Sequence, residues 1–158
     1  MSLFDPDGLS FLSALHTNKV RFMLVGGIAV NYYGHSRATG DIDLWVEDSL
    51  SNRHNLVSAL KDYGIEQAEI FLTLPLLAGY SEVLLNSGVY IDLMSELQFF
   101  KKDSFFECYE LAEVFEVDQI DLKVLHINRL IEEKKKSSRS KDRDDAEMLE
   151  AILRKRKV

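Results

Sequence analysis

The chain has 158 residues, 46% of them apolar and 28% charged, enough for one domain with a real core and too few for two typical ones. No apolar run approaches the roughly 20 residues that span a bilayer, and the first residues, Met1 to Asp7, lack the basic start and apolar segment of a signal peptide. The net charge of −7 hides a split: residues 134–158 hold 10 of the 19 basic and 5 of the 26 acidic residues, a net of +5, which leaves −12 elsewhere and argues against nonspecific coating of long nucleic acid while leaving a local basic site open.

In chain order, the apolar spacing of Leu9, Leu12 and Leu15 predicts a helix from Gly8 to Asn18, with Asp7 as its cap. Val20 to Val25 reads as a short strand broken by Gly26-Gly27, and Ile28 to Tyr33 as a short helix stopped by Gly34. Asp41 to Val46 alternates, with Ile42, Leu44 and Val46 on one face and Asp41, Asp43 and Trp45 on the other. Ser51 to Tyr63 is an amphipathic helix closed by Gly64, and Glu69 to Leu74 reads as a strand ended near Pro75. Glu82–Leu85 and Val89–Met94 flank the turn Asn86-Ser87-Gly88 and predict a hairpin. Beyond it the chain reads as helical over roughly 103–113, 121–135 and 141–155. Strands in the first two thirds and helices in the last predict an α+β fold with a small mixed sheet flanked by helices, a sheet-containing core over about 1–100 and a helical part over about 101–158. No linker or internal repeat divides it.

Cys108 is the only cysteine, so no intrachain disulfide forms. A reducing cytoplasm is the expected compartment, and the residue reads as structural. No His/Cys set has zinc spacing.

Chemistry concentrates between Leu24 and Val46. Glycines between a strand and a helix let the backbone approach a ligand and offer free N–H groups to a phosphate, although a tight turn needing positive φ would use them equally. Asp41 and Asp43, spaced by two on a strand, share a face about 6–7 Å apart. Asp92 is a third acid in an apolar run, Tyr90-Ile91-Asp92-Leu93-Met94. Like charges intruding on core strands are costly unless a cation sits among them, and a hard cation such as Mg²⁺ takes carboxylate oxygen together with substrate phosphate.

These residues resemble the DNA polymerase β-like nucleotidyltransferase superfamily, whose signature is Gly-Gly or Gly-Ser, then roughly ten to fourteen residues to Asp-x-Asp, then a third acid on a later strand. The text from Gly27 to Leu44 is similar to a narrower prokaryotic branch that includes abortive-infection type nucleotidyltransferase toxins. Leu130-Ile131-Glu132-Glu133-Lys134 … Arg139-Ser140-Lys141-Asp142-Arg143-Asp144-Asp145 resembles that branch's distal element, so the likeness covers most of the chain and only 95–120 carries no motif.

The resemblance implies transfer of a nucleoside monophosphate from an NTP to an acceptor hydroxyl, with release of pyrophosphate. Gly26 and Gly27 would hold the triphosphate, while Asp41, Asp43 and Asp92 would hold two Mg²⁺ or Mn²⁺ ions, with Asp92 also helping to activate the hydroxyl. Arg37, Lys134 and Lys141 would reach the nucleotide, supported by Thr39, Asp142 and Asp145. The acceptor implied is a tRNA 3′ end, a protein or a small molecule, and the partner a second copy or an antitoxin-like protein. A non-catalytic nucleotide-binding member of a toxin–antitoxin pair is the alternative.

Read from the residues alone, the distal element also suits a helix dressed for its own dipole, with Lys141 pairing Asp145 at i,i+4. Yet Asp142, Asp145, Leu149 and Ile152 form one stripe, as do Ile127, Ile131 and Lys134, so these charged residues are expected to face the domain. Tyr32 and Tyr33 read as core packing ahead of a base-stacking platform.

Overall fold

The computed structural model describes residues 3–157. Helix α1 (Pro6–Thr17) is capped by Asp5, whose carboxylate accepts from the Gly8 amide at 2.8 Å, with Pro6 in the first turn. The expected cap, Asp7, lies inside the helix and accepts instead from the Tyr63 hydroxyl and the Ser87 amide. Strand β1 (Phe22–Val25) runs directly into α2 (Gly26–Tyr32), and β2 occupies Asp41–Val46. Helix α3 (Leu50–Tyr63) starts on a Ser49 cap and ends at Gly64, whose φ of +118° closes the helix in the left-handed region.

The strand expected over Glu69–Leu74 is a 3₁₀ turn at Ala68–Leu72. Its carbonyls explain the difference: the Arg53 guanidinium donates to the Phe71 and Leu74 oxygens at 2.8 and 2.7 Å, satisfying groups that a strand would have given to a neighbour. Strands β3 (Glu82–Leu84) and β4 (Tyr90–Met94) form the expected hairpin, and α4 spans Phe105–Leu111.

A second hairpin, β5 (Glu113–Val117) and β6 (Ile120–Val124), replaces the start of the helix expected over 121–135 and puts strands into the last third of the chain. It turns on Asp118 and Gln119, both at positive φ (47° and 65°), the backbone of a two-residue turn that matches strand twist. Two helices follow, α5 (Ile127–Lys136) and α6 (Ser140–Arg156).

The six strands make one mixed sheet in the order β3-β4-β2-β1-β6-β5. Strand β2 is antiparallel to β1 and parallel to β4, and β6 is parallel to β1. The Ile42 face of β2 looks toward α1, where the Ile42 tip stands 3.5 Å from the place of a Gly8 β-carbon, and α1 packs on α3 through Phe11 and Tyr63. The opposite face carries Asp41, Asp43 and Trp45. Trp45 is fully buried there, donates its indole N–H to the Ser95 carbonyl, and packs on Phe100 and Phe105. Residues 95–105, mute as sequence, thus cover one end of this face and leave the acidic end open.

Candidate active site

Gly26 follows β1 at φ +64°, opposite Asp43 in the β1–β2 register Val25↔Asp43. A β-carbon at Gly26 would stand 2.1 Å from Asp43 Oδ2, so both conformation and space demand glycine. A β-carbon at Gly27 would stand 2.8 Å from Thr39 Oγ1 and 3.0 Å from Arg37 Nη2. No side chain caps α2, which leaves its first amides open beside these groups. The helix is only 7 residues long, so its dipole is short and nearby cations must supply most of the field.

Asp43 and Asp92 are register partners on parallel strands, and Asp41 pairs with Tyr90. Burial first, then the Asp92 and Asp41 charges, push the Asp43 carboxyl up to about 6, against the pull of Lys134 and Arg139. Asp92 is also raised, by burial and by the Glu82 and Asp41 charges, with the Gly79 amide opposing at 3.1 and 3.2 Å from its two oxygens. Asp92 is therefore engaged by backbone. Among the described residues, no three His, Cys, Asp or Glu side chains are arranged to hold a metal ion. The donors nonetheless suit a hard cation: all are carboxylate oxygens, and Asp43 feels like charge from two neighbours that Lys134 and Arg139 only partly offset.

A cleft of about 400 Å³ opens beside Asp41 and Asp43, within the range of small-molecule sites. Gly26, Gly27 and Thr39 form its floor, and Arg37, Lys134, Arg139 and Lys141 bring positive charge to its walls. Asp142 reaches the cleft, whereas Asp92 and Asp145 do not line it.

Asp145 instead lies beneath, fully buried, and holds two of the cations. Arg37 Nη2 donates to its Oδ2 at 2.9 Å, and Lys134 Nζ lies 3.1 Å from the same oxygen. Arg37 Nε is 2.8 Å from Oδ1 as an ion pair but off the hydrogen-bond axis, so neither atom has an aligned partner. Lys134 also donates to Asp142 at 2.9 Å, and Arg139 reaches Asp142 at 3.0 Å. Burial raises the Asp142 pKa, but hydrogen bonds from Ser137, Lys134 and Arg139 outweigh it and hold the carboxyl at about 2. Thr39 donates its hydroxyl to the Asp41 carbonyl at 3.2 Å.

The stripes read from the sequence face inward: Lys134, Asp142, Asp145 and Leu149 are all buried. The expected Lys141–Asp145 pair is not made, because Arg37 and Lys134 occupy that carboxylate, and Lys141 stays exposed at the cleft. The sequence reading gives Arg139 no role at the site, although it lies in the distal element; its place three residues before Asp142 is the available signal. The Gly79 amide had none, since a backbone donor leaves no mark on residue identity. Tyr33 is buried and donates to the Leu125 carbonyl, as core packing requires, and Cys108 is a buried free thiol.

A family model described as "Nucleotidyl transferase of unknown function (DUF2204)" matches residues 7–158. The chain belongs to that family. No curated protein gives a significant match. Family membership agrees with the polymerase β-like resemblance and brings nucleotidyl transfer as the general reaction. Among the described residues, no helix is long and apolar enough to cross a membrane.

Proposed function

We propose that the chain is a Mg²⁺-dependent nucleotidyltransferase that moves an NMP from an NTP to an acceptor hydroxyl. The observation that carries this reading is the gathering in one cleft of Asp41 and Asp43 with Arg37, Lys134, Arg139 and Lys141. Carboxylates to hold a metal beside fixed cations to meet phosphate oxygens match a metal-bound triphosphate.

In this reading the triphosphate lies over Gly26 and Gly27, where absent side chains let phosphate oxygens reach the backbone amides. Arg37 and Lys134, already held by Asp145, meet the phosphates without reorganising, so their charge acts on the reaction rather than on ordering themselves. Asp41 and Asp43 would hold Mg²⁺, or Mn²⁺ in its place, with Asp92 beside them. Bound there, the cation would neutralise developing charge and acidify the acceptor hydroxyl. The acceptor oxygen bonds to the α-phosphorus, the bond to the β-phosphate oxygen breaks, and pyrophosphate leaves with that electron pair. Asp92, its pKa raised by burial and neighbouring acids, would take the hydroxyl proton.

Each α-labelled NTP, incubated with protein, Mg²⁺ and total cell extract, should label an acceptor, and Asp41→Asn or Asp43→Asn should abolish labelling. Full activity in either variant would sink the assignment. One observation favours a second reading, a nucleotide-binding regulatory member of a toxin–antitoxin type pair: Asp92 is tied to the Gly79 amide. NTP binding without transfer to any component of the extract would select it.

A further inference from the structure

Charge divides sharply across the acids of the cleft. Arg37, Lys134, Arg139 and Lys141 lie on the α5–α6 side. The other side of the cleft is lined by Ala78, Met94, Glu96, Leu97 and Gln98, none of them basic, with Lys101 paired to Glu96 behind it. The remaining basic tail, Arg154 to Lys157, is at the far end of α6, roughly 20 Å from Lys141 along the helix, where Arg156 pairs with Glu113.

Strand register extends the acidic face outward on this side. One row across the sheet reads Asp43, Asp92, Glu82, and the next reads Asp41, Tyr90, Leu84. Register partners point to the same side, so Tyr90 and Leu84, 43% and 57% exposed, continue the face that bears the acids. Tyr80, next to the Gly79 that holds Asp92, is 84% exposed. Strand β3 ends the sheet. The bonds from Leu93 N–H to Ser81 O and from Leu85 N–H to Val89 O turn the odd-numbered residues toward β4. The backbone groups of Glu82 and Leu84 therefore point away from it.

We propose that the acceptor is a protein: an extended, non-acidic segment of a partner adds to the β3 edge, and the partner chain continuing from it crosses β3 and β4, about 10–14 Å, to bring a Ser, Thr or Tyr hydroxyl to Asp41 and Asp92. The proposal rests on nucleotidyl transfer at this cleft. An RNA end would lay its phosphates along a surface bearing Glu82, Asp92 and Asp41, to which no Lys or Arg among the described residues is paired, so few basic side chains would replace its counterions. A polypeptide strand finds what it needs there. Glu82 and Leu84 offer backbone partners, Leu84, Tyr90 and Tyr80 offer apolar contact to alternate side chains, and the acids favour a basic segment. The transfer forms a side-chain O–Pα bond, breaks the Pα–O bond to the β-phosphate, and sends the hydroxyl proton through Asp92 to water.

The test is labelling of total cell extract with each α-labelled NTP, followed by digestion with nuclease or protease, using the parent chain, Leu84→Pro and Tyr80→Asp. Leu84→Pro removes an outward-facing amide from the edge; Tyr80→Asp alters an exposed side chain and guards against a folding failure in the first variant. Protease-sensitive, nuclease-resistant label that falls about tenfold in Tyr80→Asp, the scale of losing an aromatic interface anchor, with NTP affinity unchanged, is the expected result. Nuclease-sensitive label, label on a small molecule, or protein label indifferent to both variants would overturn the docking proposal and leave nucleotidyl transfer standing. No transfer to anything despite NTP binding would overturn both.

Discussion

Gly26 and Asp43 occupy space that only one of them can fill: a single added β-carbon at Gly26 would meet Asp43 Oδ2 at 2.1 Å. Positive φ at Gly26 compounds this. Gly26→Ala should cost about 1–2 kcal/mol from the left-handed backbone alone and should also swing the carboxylate away. Transfer should consequently fall by far more than stability. Thermal unfolding beside NMP-transfer rates separates the two effects, and a variant that loses stability but keeps its rate would show that Asp43 need not rest against this backbone.

Asp43 itself is a destabilising residue at neutral pH. Its carboxyl titrates near 6 in the fold against 3.8 without it, so the fold prefers the neutral form. Its favourable contribution is complete below about pH 4 and is lost as pH rises through about 6. Asp43→Asn stays neutral throughout. The variant should exceed the parent by about 1–3 kcal/mol at pH 7.5, or several degrees in Tm, and the gap should close below pH 4. Transfer should meanwhile drop about a hundredfold or more. The emission of Trp45, the single tryptophan, reports unfolding; an Asn variant less stable than the parent at pH 7.5 would contradict the like-charge account.

The same proton competes with any cation at Asp41 and Asp43. Mg²⁺ affinity measured by calorimetry should rise about tenfold per pH unit below 6 and level off above it, with protons released on binding in the lower range. Affinity flat from pH 5 to 7 would place the ion elsewhere.

Asp145 ties Arg37 to Lys134. Asp145→Ala leaves two cations short of a buried partner and should destabilise by about 3–5 kcal/mol. Because Arg37→Ala removes the other half of the same contact, the double variant should show about 1–3 kcal/mol of coupling. Chemical denaturation of the four proteins measures it, and additive losses would mean the pair contributes nothing as a pair.

Local patterns carried much of this architecture. Asp41–Val46 follows from alternation alone, and Gly64 marks the end of α3. The Asp-x-Asp spacing exposed the acids for the same reason, since a period of two writes a shared face directly into sequence. What failed was long-range or turn-dependent. Ile120, Leu122 and Val124 alternate in burial, but Asp118-Gln119 lacks the glycine or asparagine that usually announces such a turn, and the segment read as helix. The 3₁₀ turn at 68–72 hangs on Arg53, which is distant in the chain. The cation walls were named from the distal element, but their pairing was hidden, because a carboxylate at 145 gives no local sign that it will meet an arginine at 37.

That pairing spans 108 positions. Its two ends come from the loop before β2 and from α6, so the cleft is the product of closing nearly the whole chain on itself. A ribosome releasing this protein would expose Asp41 and Asp43 long before Asp145 arrived to set Arg37 and Lys134 in place. The two carboxylates therefore emerge early in synthesis without the fixed cations that later share their cleft. The cleft is complete only once α6 has docked, an order of assembly set by contact distance alone.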